Sequence, residues 1–484
     1  MFDSPSRARA SVRRKPLAAC LAALLCLTAP AAAFAATSWT VDTCDDASAG
    51  SGTSGSLRYA AANAVSGDTI DMTGLSCSTI SLTTGAVLLP QADIAVKGPG
   101  KAALVVSGSN DRVFRHTGQG AFTLDDLTVA NGYVHPSLGA DANGGCISSN
   151  GKAYLTRVGV HTCRASAVGA AAHGGGVYGR DLVFAKYSEI SGNVASGAGI
   201  SSGGGGIFSY RDITLASSTI SGNSALGSTG GIGGGARALL GSVTVIASTV
   251  SGNTASFGGG IAQLYSTYSP QASFVLHNST VSGNVSTGFV GGISTGAGTI
   301  EVKNSTVAFN TAGSATAASR HYAPGLSIDD TGGYYTDINH YRFIHATLES
   351  SVFSNNAYGT PAATADDVGV YRSDPNYSLV MFTGQNNLVF ATQAQGIGST
   401  ATVGACPGLG PLRDNGGPTW THALSWGSPA IDHGNNTVPY AVDQRGSPFA
   451  RVSGVAADIG AYEVQQGDIV FIDGFDGRPM CSNG

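Results

Sequence analysis

A short phrase recurs along the middle of the chain at a nearly constant interval. It has the form S-T-[IV]-S-G-N and ends at Asn223, Asn253 and Asn284. The interval is 30 residues from Asn223 to Asn253 and 31 from there to Asn284. A fixed period of this length with strand-like content is the signature of stacked supersecondary units.

Each unit also contains a glycine cluster and a segment of alternating apolar residues. Glycine readily adopts φ > 0, so clusters such as 174–176 and 204–206 are expected to form tight corners. Ile213-Thr214-Leu215 has the period of two that marks a half-buried strand. We therefore predict an all-β fold, a right-handed parallel β-helix with an N-terminal cap and a C-terminal capping or anchor-associated region.

Stacked coils place equivalent residues directly above one another, roughly 4.8 Å apart. Ile220, Val250, Val281 and Val307 should then form an inward apolar column. The threonines beside them should form an outward row of hydroxyls, which serves solubility or offers a flat polar binding face. Buried amides need hydrogen-bond partners, and stacked asparagines supply them to each other. A structural role is therefore expected for Asn131, Asn193, Asn223, Asn253, Asn284, Asn310 and Asn355.

The chain divides into five segments. Residues 1–35 combine a basic start, an apolar stretch and Ala33-Phe34-Ala35, as in a signal peptide. Residues 36–104 should form the N-terminal cap, with a short helix over 57–63. Residues 105–395 should form the β-helix, residues 396–464 the C-terminal region, and residues 465–484 a tail.

Composition narrows the list of partners. Charged residues make up 11% of the chain, against roughly 25% in an average globular domain. The net charge is −5, without a polybasic segment, so nucleic acid is not an expected partner. No apolar run after the signal peptide is long enough to span a membrane. We expect an exported monomer located outside the cell or on the outer cell surface.

Six cysteines follow the signal peptide: Cys44, Cys77, Cys146, Cys163, Cys406 and Cys481. An even number in an exported chain favours disulfide bonds over metal or redox chemistry. We expect the pairs Cys44–Cys77, Cys146–Cys163 and Cys406–Cys481, although spacing alone does not fix the connectivity.

Three stretches resemble known families. Ser56-Leu57-Arg58, followed by Asp68-Thr69-Ile70, is similar to the cap of exported bacterial right-handed parallel β-helix proteins, although Gly55 stands where those proteins usually have Cys. Residues 414–419, 427–432, 443–446 and 458–463 (DNGGPT, GSPAID, DQRG and DIGAYE) resemble a choice-of-anchor Q domain. The glycine-rich repeats are similar to those of polymorphic outer-membrane proteins. The resemblance implies an exported surface or secreted protein and supplies no catalytic residues.

The interval from Asn310 to Asn355 is 45 residues, so one coil carries an insertion. Long loops on a regular scaffold often carry function. If it is not simply a solvated loop, its ligand-binding candidates for a polysaccharide or cell-surface glycan are Tyr322, Tyr334, Tyr335, Asp337, His340 and Arg342. We expect a binding or adhesion scaffold with no cofactor and no metal site, although Asp side chains here are possible Ca²⁺ ligands. The alternative is a polysaccharide lyase or glycoside hydrolase that uses the 321–345 loop, with Asp329 and Asp330 as catalytic candidates.

A second polar set lies near the C-terminus. It comprises Asp432, Asp443, Arg445, Asp458 and Glu463. We expect an ion-pair network that holds the C-terminal region together, with ligand or metal binding as the alternative.

Overall fold

A computed structural model describes residues 36–198, 202–228, 230–263, 272–313, 322–330, 342–359, 364–372 and 378–468. The predicted signal peptide lies outside the described residues, as do residues 469–484 of the tail. From Ser38 onwards the chain forms one compact unit. No helix within the described ranges has both the length and the apolar character needed to cross a membrane.

The described residues wind into a solenoid of about nine turns, so the prediction of a parallel β-helix is confirmed. A complete coil contributes one strand to each of four sheets, which we number 1 to 4 in their order within a coil, starting with the strand that follows the glycine cluster. Neighbouring strands within each sheet are almost all parallel and in register.

The strand bounds are as follows. Sheet 1 contains Val87–Leu89, Phe114–His116, Ile147–Ser149, Val177–Gly179, Ile207–Ser209, Ala236–Ala238, Ile261–Gln263, Ile293–Thr295, Leu326–Asp330 and Val368–Arg372. Sheet 2 contains Ser38–Val41, Gly50–Ser51, Ser54–Gly55, Thr69–Asp71, Ile94–Lys97, Ala121–Asp125, Lys152–Thr156, Leu182–Lys186, Asp212–Ala216, Val243–Ile246, Ser273–His277, Thr299–Lys303, Arg342–Glu349 and Ser378–Thr383.

Sheet 3 contains Thr79–Ser81, Val105–Ser107, Thr128–Ala130, Gly159–His161, Glu189–Ser191, Thr219–Ser221, Thr249–Ser251, Thr280–Ser282, Thr306–Ala308, Val352–Ser354, Asn387–Val389 and Ala401–Val403. Sheet 4 contains Tyr133–Val134, Arg164–Ser166, Val194–Gly197, Ser224–Gly227, Thr254–Phe257, Val285–Phe289, Thr311–Ala312, Ala357–Tyr358 and Thr364–Ala365. Two further pairs are Ala142–Asn143 with Ala172–His173, and the antiparallel Leu409–Arg413 with Thr421–Leu424.

The N-terminal segment continues the sheets although it lacks the sequence repeat. Its helix spans Leu57–Asn63, as predicted, and the Ser56 hydroxyl caps it by accepting a hydrogen bond from the Tyr59 N–H. The predicted Cys44–Cys77 disulfide is present. At the other end of the chain, a short 3₁₀ helix over Ile397–Ser399 buries Ile397 in the core.

The interior is lined by straight columns of apolar side chains. Ile220, Val250, Val281 and Val307 stand in register and are fully buried, which confirms the predicted column. Because each inward residue packs on its equivalents in the coils above and below, one continuous core runs along the solenoid.

The buried asparagines form a continuous ladder. The Asn223 side-chain amide donates to Asn253 Oδ1 at 2.9 Å, and Asn253 donates to Asn284 in the same way. Each amide nitrogen also donates to a backbone carbonyl of the preceding coil. The ladder begins at Asn193 and ends on the Asp367 carboxylate, which accepts from the last amide at 2.8 Å.

Two of the predicted ladder residues do not belong to the ladder. Asn131 and Asn355 have φ of 59° and 58° and lie one position earlier, at the left-handed corner that Gly222 and Gly252 occupy elsewhere. Asparagine tolerates this conformation better than most residues. The ladder residue of that late coil is Asn356, so the interval from Asn310 is 46 residues instead of 45.

The glycine cluster and the asparagine phrase are in contact across the coil. Gly174 has φ of 66°, so it makes a left-handed turn. A Cβ at Gly175 would lie 2.3 Å from the Gly205 carbonyl oxygen of the next coil. A Cβ at Gly176 would lie 3.0 Å from the Asn193 amide. The cluster is therefore a corner and also the surface against which the asparagine ladder packs.

One coil replaces this contact with a covalent bond. Cys146 occupies the position equivalent to Gly176, and Cys163 occupies the position equivalent to Asn193. The two form the predicted disulfide, with an S–S distance of 2.04 Å. The Cys163 N–H still donates to Asn193 Oδ1, so the disulfide caps the N-terminal end of the ladder.

The C-terminal region folds back along the side of the solenoid. Thr249 donates to the Trp420 carbonyl and Thr280 donates to Gln444 Oε1, both at 2.6 Å. Thr306 accepts from the Ala461 N–H at 3.1 Å. The predicted outward row of threonine hydroxyls is therefore wrong for these three residues, because the C-terminal region covers them.

The predicted ion-pair network of the C-terminal region is present in part: Asp443 pairs with Arg445 and Glu463 with Arg451, whereas Asp432 and Asp458 accept backbone N–H groups. The Arg445 guanidinium lies 2.7 Å from Asp443 and is sandwiched between the rings of Phe449 and Tyr462. Burial raises the pKa of Glu463 to about 7, although Asp458 and Ser453 donate backbone N–H groups to its carboxylate. The predicted Cys406–Cys481 pair involves Cys481, which lies outside the described residues.

Candidate functional site

The outward side chains of sheet 2 stand in straight columns because its strands pair in register. One column runs Tyr154, Phe184, Thr214, Thr244, Val275 and Glu301, one residue from each of six successive strands. At roughly 4.8 Å per coil, the column is about 24 Å long. Two clusters of side chains that can bind a ligand or transfer a proton lie at the two ends of the column.

The first cluster, here called the aromatic platform, consists of Lys152, Tyr154, Phe184 and Lys186. The strand alternation points Ala153, Leu155 and their neighbours into the core and leaves Tyr154 and Phe184 half-buried on the outer face. The centroids of the two rings are 5.8 Å apart. The platform therefore offers two adjacent aromatic rings, one from each of two successive coils.

The charge of the platform is positive. Lys152 and Lys186 are exposed and lie at opposite strand ends, one on each side of the ring pair. Neither of these two strands contains an acidic residue. The Lys186 ammonium also lies 5.3 Å from the centroid of the Tyr187 ring, which is 46% exposed. The flanking strands of the same sheet contain Asp125 and Asp212, so the excess of cations is confined to the two platform strands, where it favours anionic ligands.

The second cluster, here called the polar relay, consists of His277, Glu301, Lys303 and Tyr440. His277 Nε2 lies 3.2 Å from Glu301 Oε2, and His277 Nδ1 lies 3.0 Å from the Tyr440 hydroxyl. The Lys303 ammonium lies 3.4 Å from the same Glu301 oxygen. Two adjacent coils and the folded-back C-terminal region thus bring one chain of polar groups together.

The electrostatics of the relay keep the imidazole neutral near pH 7. Burial lowers the pKa of His277, and Lys303 adds to that effect, while Glu301 opposes it. Burial raises the pKa of Tyr440, so its hydroxyl keeps its proton. The Glu301 side chain is 34% exposed, which leaves this part of the relay open to solvent.

The structure places the residues predicted in the 321–345 loop differently. Residues 326–330 are a strand of sheet 1 and residues 342–349 a strand of sheet 2, so the prediction of one loop is wrong at these positions. Asp329 is buried in its strand, with only 6% exposure. Asp330 and Arg342 also lie in these strands. A buried carboxylate in a sheet is poorly placed to act as the exposed catalytic group that the loop interpretation required.

Tyr322 packs into an aromatic cluster. Its ring stacks on Tyr371 at a centroid distance of 4.4 Å and contacts Phe289 at 5.4 Å and Phe257 at 5.6 Å. The Tyr358 hydroxyl donates to its carbonyl. Of the other predicted ligand-binding residues, Tyr334, Tyr335, Asp337 and His340 lie outside the described residues.

Sequence reasoning missed both clusters. The repeat would have revealed the platform, because Tyr154 and Phe184 are 30 residues apart, the same interval as the asparagines. The relay was harder to find, since Tyr440 arrives from a region without the repeat. Across the described ranges, no group of three or more His, Cys, Asp or Glu side chains is arranged to hold a metal ion.

Comparison with known proteins gives weak likenesses. No protein-family model matches the chain. No curated protein matches it. Among solved structures, the crystal structure of pectate lyase Pel9A is similar with a TM-score of 0.40 and 13% identity, covering 88% of this chain and 97% of that chain. The A-module of the mannuronan C-5 epimerase AlgE6 from Azotobacter vinelandii has a TM-score of 0.28 and 15% identity, covering 72% of this chain and 91% of that chain.

At these TM-scores the two likenesses carry no argument about function. The resemblance to choice-of-anchor Q domains and to polymorphic outer-membrane proteins finds no support in the comparisons and stays a prediction.

Proposed function

We propose that the chain is an exported protein that binds acidic polysaccharides along the outer face of sheet 2. The observation that carries this proposal is the aromatic platform. Aromatic rings offer flat apolar surfaces for the C–H faces of sugar rings, and the flanking ammonium groups attract carboxylate or sulfate substituents. The two disulfides of the described residues support export, because such bonds persist in oxidising compartments.

The geometry suits an extended polymer. Equivalent positions recur once per coil, so a chain that lies along the solenoid axis meets one side chain of the outward column at each step. Tyr154 and Phe184 fix its position, and Lys152 and Lys186 select its charge. When the polymer belongs to a cell surface, the same binding produces the adhesive role predicted from the repeats.

Affinity measurements on a panel of soluble polysaccharides test the proposal. The panel contains polygalacturonate and polymannuronate as acidic polymers and a mannan as a neutral one. The wild-type chain should bind the acidic polymers, and binding should weaken as salt increases, because exposed charges are screened. Changing both Tyr154 and Phe184 to Ala should weaken binding about tenfold, equivalent to about 1.4 kcal/mol.

The matched control is Trp426→Ala, since Trp426 is 65% exposed and belongs to the C-terminal region. It should leave the affinity unchanged. Equal binding by the wild type and the Tyr154/Phe184 double variant would show that the platform is not the binding site.

A further inference from the structure

The donor and the acceptor of each hydrogen bond in the polar relay follow from the chemistry of its side chains. A neutral imidazole donates from one ring nitrogen and accepts at the other. The carboxylate of Glu301 can only accept, so the His277 Nε2–H donates to it. His277 Nδ1 must then accept from the Tyr440 hydroxyl, 3.0 Å away. The arrangement is a carboxylate, an imidazole and a phenol joined in series.

Such a series makes the terminal oxygen a proton-transfer group. A histidine that is oriented by a carboxylate can activate a hydroxyl group. Here His277 can accept the proton of the Tyr440 hydroxyl while the Tyr440 oxygen takes up a proton from the substrate. Glu301 stabilises the imidazolium that forms. Burial keeps His277 unprotonated at neutral pH, which leaves Nδ1 ready to accept.

The position of the relay links it to the platform. Glu301 stands in the same outward column as Phe184, four coils away, or about 19 Å at the spacing of stacked strands. A polymer anchored on the platform and lying along the column therefore reaches the relay. Lys303, beside Glu301, supplies a cation there for an acidic sugar.

We propose that the polar relay is a catalytic site for β-elimination in acidic polysaccharides, an inference that rests on the proposed function. Tyr440 is the proton-transfer residue, and His277 and Glu301 support it by accepting its proton and stabilising the resulting imidazolium. Hydrolysis fits less well, because it uses two carboxyl groups on either side of the scissile bond. Glu349 follows Lys303 in the next coil, but it is buried and accepts a hydrogen bond from Thr437. Of the two glutamates described on these adjacent strands, Glu301 is the one that is partly open to solvent.

The step balances without a co-reactant. The Tyr440 oxygen removes the proton from C5, the carbon that bears the uronate carboxyl group, while its own proton passes to His277 Nδ1. The electron pair of the broken C5–H bond forms a C4=C5 double bond, and the bond from C4 to the glycosidic oxygen breaks. That oxygen takes the proton now on Tyr440, and His277 returns its proton to the phenol.

The test uses the exported full-length chain with polygalacturonate and polymannuronate, and with mannan as the neutral control. The unsaturated product is followed by its ultraviolet absorbance and identified by mass spectrometry. Tyr440→Phe keeps the ring that packs on His277 but removes the hydroxyl, so it should lower kcat about 10²- to 10⁴-fold, the usual contribution of general acid–base catalysis. Its affinity and its unfolding midpoint should match those of the wild type.

Glu301→Gln is a second variant that does not endanger folding, because Glu301 is partly exposed. It should lower kcat and shift the acidic limb of the pH–rate profile, which a merely structural residue would not do. The Tyr154/Phe184 double variant should instead raise KM.

Each outcome decides between the two proposals. Polymer binding by the wild type without unsaturated product overturns the catalytic inference and leaves the binding proposal standing. Neither binding nor product overturns both. Product formation that persists unchanged in Tyr440→Phe shows that the catalytic base lies elsewhere.

Discussion

Replacing Asn223 with Leu isolates the contribution of one ladder residue. The Asn223 side chain accepts from the Asn193 N–H at 3.0 Å and from the Asn193 amide at 2.9 Å. It donates to the Ile190 carbonyl and to Asn253 Oδ1, both at 2.9 Å. The Asn193 amide keeps its second bond, to the Val160 carbonyl, but the Asn193 N–H loses its acceptor in a fully buried position.

The magnitude follows from these contacts. An orphaned buried donor costs roughly 1–3 kcal/mol, and each lost hydrogen bond costs about 1 kcal/mol. With one orphaned donor and three other lost hydrogen bonds, the total is roughly 4–6 kcal/mol, from which the burial of the leucine side chain returns about 2 kcal/mol. We expect a net loss of about 2–4 kcal/mol in the free energy of unfolding.

Urea unfolding followed by circular dichroism measures this loss. The matched control is Asn63→Leu, since Asn63 is exposed and its side chain bonds only to the Tyr59 carbonyl of the same helix. The control should unfold near the wild-type midpoint. An Asn223→Leu midpoint equal to that of the control would refute the ladder as a source of stability.

Two further predictions concern the ends of the ladder. Changing Cys146 to Gly and Cys163 to Asn restores the glycine–asparagine contact, so this double variant should unfold at a higher urea concentration than the double variant Cys146→Gly with Cys163→Ala. Equal unfolding midpoints would show that no ladder contact forms there. At the other end, burial raises the pKa of Asp367 to about 6, above its unfolded value of 3.8, so the folded state binds more protons between these values. Its contribution to stability is then present below about pH 4 and is lost as pH rises through 6, by roughly 3 kcal/mol. Asp367→Asn should flatten this part of the stability–pH curve, and a curve parallel to the wild type would contradict the prediction.

Local repetition made most of the fold predictable from sequence. The register of Ile220, Val250 and Val281 follows from the period of 30–31 residues, because stacked coils force equivalent positions into columns. The helix over Leu57–Asn63 follows from its N-capping serine and its alanines. These features depend on neighbours in the chain or one coil away.

Features that depend on unrelated segments were not predictable. The Thr280 hydroxyl was expected in solvent, but Gln444 covers it from 164 residues away. The repeat contains no sign of that contact. It also contains no sign of the hydrogen bond between Tyr440 and His277. The ladder was also misplaced by one residue at Asn355, because Asn is suited to both the buried rung and the left-handed corner.

Hydroxyl-radical labelling of the wild-type chain, with and without polygalacturonate, tests the central claim most directly. Mass spectrometry then reports the solvent access of each aromatic side chain. The account predicts protection of Tyr154 and Phe184 by the polymer, with Trp426 labelled equally in both samples. Unchanged labelling of Tyr154 and Phe184 under conditions in which the polymer is bound would contradict it.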